Sequence, residues 1–316
     1  MSALDPVTLF FLLGLAAGLL RSELRLPSPV YELVSMLLLL AIGLKGGIEL
    51  SRQPFGELVP QILAVIAMGA ALPLVAYPVL RYAGRFKRAD AASIAAHYGS
   101  ASVATYAVAV AWFGTRGIDF EAHMPLLLAV LEIPAILVGV VLARGLSRDV
   151  EIATVAHDVF LGKGIVLILG GLLIGWAAGP EGVASIRPLF FDLFKGILAL
   201  FLLEMGLITA AQIGGLRRYG AFLVAFGIGM PIFSSLVGTA VGLLLGLSPG
   251  GVTMLAILAA SASYIAVPAA MRISVPDANP ALSLAASLGV TFPFNVLVGI
   301  PLYHSLAMRA QALFGG

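Results

Sequence analysis

Two short polar stretches interrupt long apolar runs: His97-Tyr98-Gly99-Ser100-Ala101-Ser102 and Ala260-Ser261-Ala262-Ser263-Tyr264. Serine hydroxyls donate and accept hydrogen bonds. Glycine lets a backbone turn and come close to a ligand. If a helix opens at each stretch, a second half-helix starts there. Its free N–H groups and the positive end of its dipole then face the break, which suits an anion. Gly99, Ser100, Ala101, Ser102, Ser261, Ala262 and Ser263 are therefore the candidate anion-binding residues. The first halves end at the same points, and their carbonyl oxygens suit a hard cation such as Na+. The competing reading is that these small residues only let unbroken helices pack closely.

Glu132 stands in the middle of another apolar run, two residues before Pro134. A carboxylate at such a place is costly and is functional by default. Proline frees a carbonyl about one turn earlier in its helix. Glu132, with Thr291 and Asn295 near the chain's end, forms the candidate sodium set. The alternatives are a paired or protonated structural carboxyl for Glu132 and interhelical hydrogen bonds for Thr291 and Asn295. Asp192 and Lys195 are expected to pair with each other at helical spacing. Glu204 and Lys45 sit near helix ends, where long side chains reach toward the interface. His97, Tyr106 and Tyr264 either line the site or pack beside it.

The elements that hold these residues are apolar. Of 316 residues, 60% are hydrophobic and 11% charged, with mean hydropathy +1.07. A soluble domain carries about 25% charged residues. The reading is an all-α integral membrane protein. Period-2 alternation of a membrane barrel is absent. Zero cysteines exclude disulfides, thiolate metal sites and cysteine nucleophiles. No Walker A, HExxH or CxxC motif is present, and no histidine is placed opposite a serine, so no enzyme activity is expected. No organic cofactor and no nucleic-acid partner are expected either. Asp5-Pro6 stands where a leader peptide would carry basic residues, so a cleaved leader is not expected.

A spanning helix needs about 20 mostly apolar residues. Ten can be read: 7–21, 28–45, 58–82, 90–113, 123–143, 160–178, 187–209, 219–246, 250–272 and 280–306. The longest connection, about 144–159, is too short for a soluble domain. Ile42-Gly43-Leu44 resembles Met205-Gly206-Leu207, Ser100-Ala101-Ser102 resembles Ser261-Ala262-Ser263, and Ile133-Pro134 resembles Phe292-Pro293. The spacing is nearly constant, at about 160 residues. This divides the chain into residues 1–146, a cytoplasmic connection 147–159, and 160–316. Five helices per copy is an odd number, so the second copy enters from the other side. The expectation is an inverted 5+5 repeat with two discontinuous helices that cross. Eleven Lys and Arg lie on the connections after helices 1, 3, 5, 7 and 9, against four (Arg52, Arg116, Arg187, Arg309) on the other side. Positive-inside then puts both termini outside.

At these residues the sequence resembles the single-component sodium-dependent bicarbonate permeases of the cyanobacterial type. The likeness rests on Lys45-Gly46-Gly47, Ala95 to Ser102, Leu131-Glu132-Ile133-Pro134-Ala135 and Ala260 to Pro268, and extends over nearly the whole chain. It implies core and gate domains and Na+-coupled uptake of bicarbonate at the crossing, in the inner (plasma) membrane. It also implies a homo-oligomer, commonly a trimer, and a PII-like regulatory protein at the cytoplasmic face. The 144–159 connection departs from the pattern, since the cyanobacterial members carry a longer cytoplasmic loop there. Other readings are a Na+ symporter of another small organic anion, a Na+/H+ antiporter and a non-transporting anion sensor. The antiporter reading expects an aspartate beside a break, and none is there.

Overall fold

The structure is a computed structural model that describes residues 6–51, 58–145, 157, 161–216 and 220–314. The expected cytoplasmic connection 147–159 lies outside these except for His157, as do Arg52, Arg148, Arg217 and Arg218. Among the described residues all regular structure is helical. Twelve helices run in order among the described residues: α1 (Pro6–Leu19), α2 (Ser28–Leu50), α3 (Leu58–Pro78), α4 (Arg88–Gly99), α5 (Val103–Gly114), α6 (Met124–Arg144), α7 (Lys163–Gly182), α8 (Phe194–Leu216), α9 (Gly220–Leu244), α10 (Pro249–Ala259), α11 (Ala266–Ser274) and α12 (Pro280–Phe314). Seven of the described helices are long and apolar enough to cross a membrane, α3 being counted with its wide-turn extension to Ala83. The others are α1, with 14 residues, and the two broken pairs α4/α5 and α10/α11.

The packing divides the helices into two sets. In the first, α1 lies along α8 and α2 lies along α7. Lipid tails are as apolar as leucine, so close backbone approach rather than hydrophobicity holds such pairs. Small residues provide it. A Cβ on Gly14 or Gly206 would overlap the backbone of the facing helix in the α1/α8 pair, as would one on Gly43, Gly47 or Gly175 in the α2/α7 pair. Gly47→Ala is therefore expected to destabilise the protein by about 1–3 kcal/mol. A thermal melt in detergent would read this as a lowered midpoint.

In the second set, α3, α4 and α6 pack on one another, and so do α9, α10 and α12. Each loop that follows a broken pair grips the start of the other pair. Glu121, after α5, accepts hydrogen bonds from the Ser248 N–H at 2.6 Å and the Ser248 Oγ at 3.2 Å, at the start of α10. A carboxylate is favoured at that helix end. Asp90, in the first turn of α4, accepts from the Asn279 N–H at 2.7 Å, just before α12.

Two expectations are corrected. The second helix was expected to end at Lys45. It runs on to Leu50, and the glycines in that extension serve packing: Gly47 against α7 and Gly46 against Pro125 of α6. Asp192 does not pair with Lys195. It lies in a wide turn, Pro188–Asp192, before α8 begins, so helical spacing does not apply. Its carboxylate faces the Arg187 Nε at 3.7 Å. The last helix is longer than expected, reaching Phe314, and widens at Ser287–Thr291 and Asn295–Gly299 on either side of Pro293. Glu204 accepts a hydrogen bond from the Leu26 N–H at 3.1 Å.

Candidate anion site at the helix breaks

Both expected breaks are present. The first pair stops at Gly99 and resumes at Val103, with Ser100 and Ser102 in extended conformations. The second stops at Ala259 and resumes at Ala266. Gly99 is required by crowding, since a Cβ there would overlap the Pro73 ring of α3. Ala101, Ala262 and the four serines are buried.

The two breaks hold each other. The Ser102 N–H donates to the Ser261 Oγ at 2.9 Å, and that hydroxyl donates to the Leu258 carbonyl at 2.7 Å. The Ser263 N–H donates to the His97 carbonyl at 2.9 Å. Ser102 also caps α5, its Oγ accepting from the Thr105 N–H at 3.2 Å and from the Thr105 hydroxyl at 3.1 Å. Ser102 and Ser261 are thus structural partners as well as candidate ligands. Ser102→Ala is expected to cost about 1 kcal/mol of stability through the lost cap, measured as a lowered denaturation midpoint.

Among the described residues, two polar side-chain atoms at the breaks are buried without a hydrogen-bond partner: the Ser100 Oγ and the His97 Nε2. Such groups are normally satisfied, and leaving one bare costs about 1–3 kcal/mol. The His97 Nδ1 lies 2.7 Å from the Ser93 carbonyl, which can only accept, so Nδ1 carries the proton and the neutral ring presents a bare acceptor at Nε2. The N–H groups of Val103 and Ala104, in the first turn of α5, have no intrahelical acceptor. Ile265 gives α11 no side-chain cap, and the Ser263 Oγ accepts from the Val267 N–H in its first turn at 3.5 Å. Taken together, the Ser100 hydroxyl and the first N–H groups of α5 are donors that the protein itself does not use, as an anion site requires, whereas the His97 Nε2 is an acceptor and adds nothing to them.

The candidate sodium residues divide. Glu132 is buried in α6, 4% exposed, and its Oε2 has no partner. Thr291 and Asn295, both on α12, are engaged. Tyr98 donates to the Thr291 Oγ1 and Thr291 donates to the Gly227 carbonyl, both at 2.7 Å. The Asn295 amide donates to the Ala260 carbonyl at 2.9 Å, and its Oδ1 accepts from Tyr303 at 2.7 Å. Asn295 therefore occupies a carbonyl freed at the end of α10. Sequence reading did not anticipate the tyrosines. Tyr98 and Tyr303 each meet a partner on another turn or helix, and local spacing carries no sign of that.

Residues 6–308 match the Na+-dependent bicarbonate transporter superfamily. The chain belongs to that superfamily. It is accordingly a transporter rather than an enzyme, with sodium and bicarbonate as the solutes the superfamily is described by. No match was found among curated proteins.

Proposed function

We propose that this chain is a secondary active transporter that couples inward Na+ movement to bicarbonate uptake by alternating access. The observation that carries the reading is the contact between two helix breaks that leaves the Ser100 Oγ buried and bare beside unused N–H groups. Bicarbonate is a compact anion with three oxygens to accept such donors. Gly99 and Ala101 shape the cradle, and Ser100, Ser102, Ser261, Ala262 and Ser263 surround it. The Na+ that accompanies it is held at Glu132, the one candidate carboxylate with a bare oxygen, with Thr291 and Asn295 contributing oxygen from α12. An inward Na+ gradient offsets the cost of moving an anion against a negative-inside potential.

The frame for this motion is a ten-span, inverted 5+5 repeat. In it α1 and α2 correspond to α7 and α8, so exchanging the halves turns the α1/α8 pair into the α7/α2 pair. The packing of both pairs supports that correspondence, as do the reciprocal grips of Glu121 on Ser248 and Asp90 on Asn279. The α1, α2, α7, α8 set is the gate and the set with the crossing is the core. Both termini lie outside the inner membrane, following the Lys and Arg distribution.

Ligand that binds only the folded state raises its stability. Bicarbonate is expected to raise the melting midpoint of the purified protein in NaCl and not in KCl. A midpoint that bicarbonate leaves unmoved in both salts contradicts the reading. Formate and acetate in the same assay test whether the cradle prefers bicarbonate to other small carboxylates.

A further inference from the structure

Lys45 is exposed, although residues 41–44 and 46–48 around it are buried. It projects into a cavity of about 1020 Å³ that is also lined by Glu49, Tyr106, Val110, Gly114 and Lys195. The cavity lies between α2, α5, the start of α8 and the connections before α6 and α8. It follows α5 down to Tyr106, whose N–H closes the first turn of that helix on the Ser102 carbonyl at 3.0 Å. The cavity therefore ends about one helical turn, some 5 Å, from the first break.

The charges around it are not equivalent. Arg187 and Asp192 face each other at 3.7 Å and are both well exposed. Glu121 is spent on the start of α10. Glu49, one turn along α2 from Lys45, has an interaction of its own. Asp119 is exposed on the connection after α5. Lys45 and Lys195 form no ion pair or hydrogen bond among the described residues. Of the two, Lys45 stands on a helix packed both on α7 and, through Gly46, on Pro125 of α6. That puts an unpaired ammonium at the seam between the two helix sets, beside the helix that leads to the break.

We propose that this cavity is the aqueous vestibule of the anion site, and that Lys45 is a specificity-determining residue that draws anions along α5 toward Ser100 and Ser102. The inference rests on the anion-transport reading above. The lining carries four carboxylates (Glu49, Asp119, Glu121, Asp192) against three cations (Lys45, Arg187, Lys195), so the pull on an anion is local to the Lys45 ammonium rather than a property of the whole cleft. Because the chain contains no cysteine, a single thiol reports the local field with no background.

The test places a cysteine at Val110 (V110C) in detergent-solubilised full-length protein. The thiol is reacted separately with an anionic and a cationic methanethiosulfonate reagent, and a cysteine at exposed Thr115 (T115C) serves as the reference. Relative to that reference, the anion-to-cation rate ratio is expected to fall about threefold or more on Lys45→Gln and to be restored by Lys45→Arg. In proteoliposomes, Lys45→Gln is expected to raise the KM for bicarbonate about threefold or more at unchanged kcat and unchanged Na+ dependence, again with rescue by Lys45→Arg. An unreactive V110C in folded protein overturns the vestibule. A ratio that Lys45→Gln leaves unchanged overturns the role of Lys45. The thiol measurement needs no transport, so absence of bicarbonate uptake by the unmodified protein refutes the transport reading separately. Lys195→Gln, folded and monodisperse, gives a second reading of the same field should Lys45→Gln fail to fold.

Discussion

Ser100→Ala is expected to raise the bicarbonate KM about ten- to a hundredfold without lowering the melting midpoint of the unliganded protein. The magnitude follows from losing one hydrogen bond to a charged ligand, worth about 1.5–3 kcal/mol. The separation of binding from stability follows from geometry. The Ser100 Oγ has no partner in the fold, so removing it breaks nothing in the protein and relieves a bare buried group. Ser102→Ala differs, because Ser102 caps α5 and its variant loses stability as well. Ser261→Ala would mix the two effects further, since that hydroxyl joins the two breaks. Ser100 is therefore the cleanest probe of the cradle. Labelled-bicarbonate uptake across a concentration series, with a melt on the same preparation, measures both quantities. A normal KM for Ser100→Ala would remove that residue from the site.

Glu132→Gln is expected to abolish the dependence of uptake on Na+, or to shift its midpoint upward by at least about tenfold. Glutamine keeps the size and one oxygen but lacks the charge that a hard cation selects. Its stability is not expected to fall. A buried carboxylate with a bare oxygen is itself costly, and a neutral isostere removes that cost. A lowered melting midpoint with intact Na+ dependence would make Glu132 a structural residue. Uptake titrated with Na+ at constant ionic strength decides between them. Thr291→Val and Asn295→Ala are less informative, because both residues hold helices together through the hydrogen bonds to Gly227 and Ala260.

The breaks were legible in the sequence because their cause is local. Gly99 and the serines on either side of Ala101 and Ala262 are poor at continuing an apolar helix and good at ending one, and the spacing of the two stretches announced a relationship. Glu132 was legible for the same reason, as a charge where none is cheap. What was lost is long-range. The second helix was ended at Lys45, yet Gly43 and Gly47 are one turn apart on a single face and pack on α7. The same spacing recurs at Gly14 and Gly18 and at Gly171 and Gly175, so small-xxx-small pairs marked the α1/α8 and α2/α7 interfaces in advance. The pairing of Asp192 failed because a helical rule was applied across a wide turn. No local pattern could have joined Glu121 to Ser248, Asp90 to Asn279 or Tyr98 to Thr291, since each bond depends on how the two halves of the chain come together.

The central claim is that Na+ and bicarbonate move together through the crossing of the two breaks. Its most direct test is uptake of labelled bicarbonate into proteoliposomes, with the same bicarbonate on both sides and an inward Na+ gradient imposed, against an equal K+ gradient. The account predicts transient accumulation of label above equilibrium under the Na+ gradient alone, weakened at low bicarbonate in Ser100→Ala and uncoupled from Na+ in Glu132→Gln. Uptake that proceeds equally under both gradients, or that never exceeds equilibrium, would contradict it.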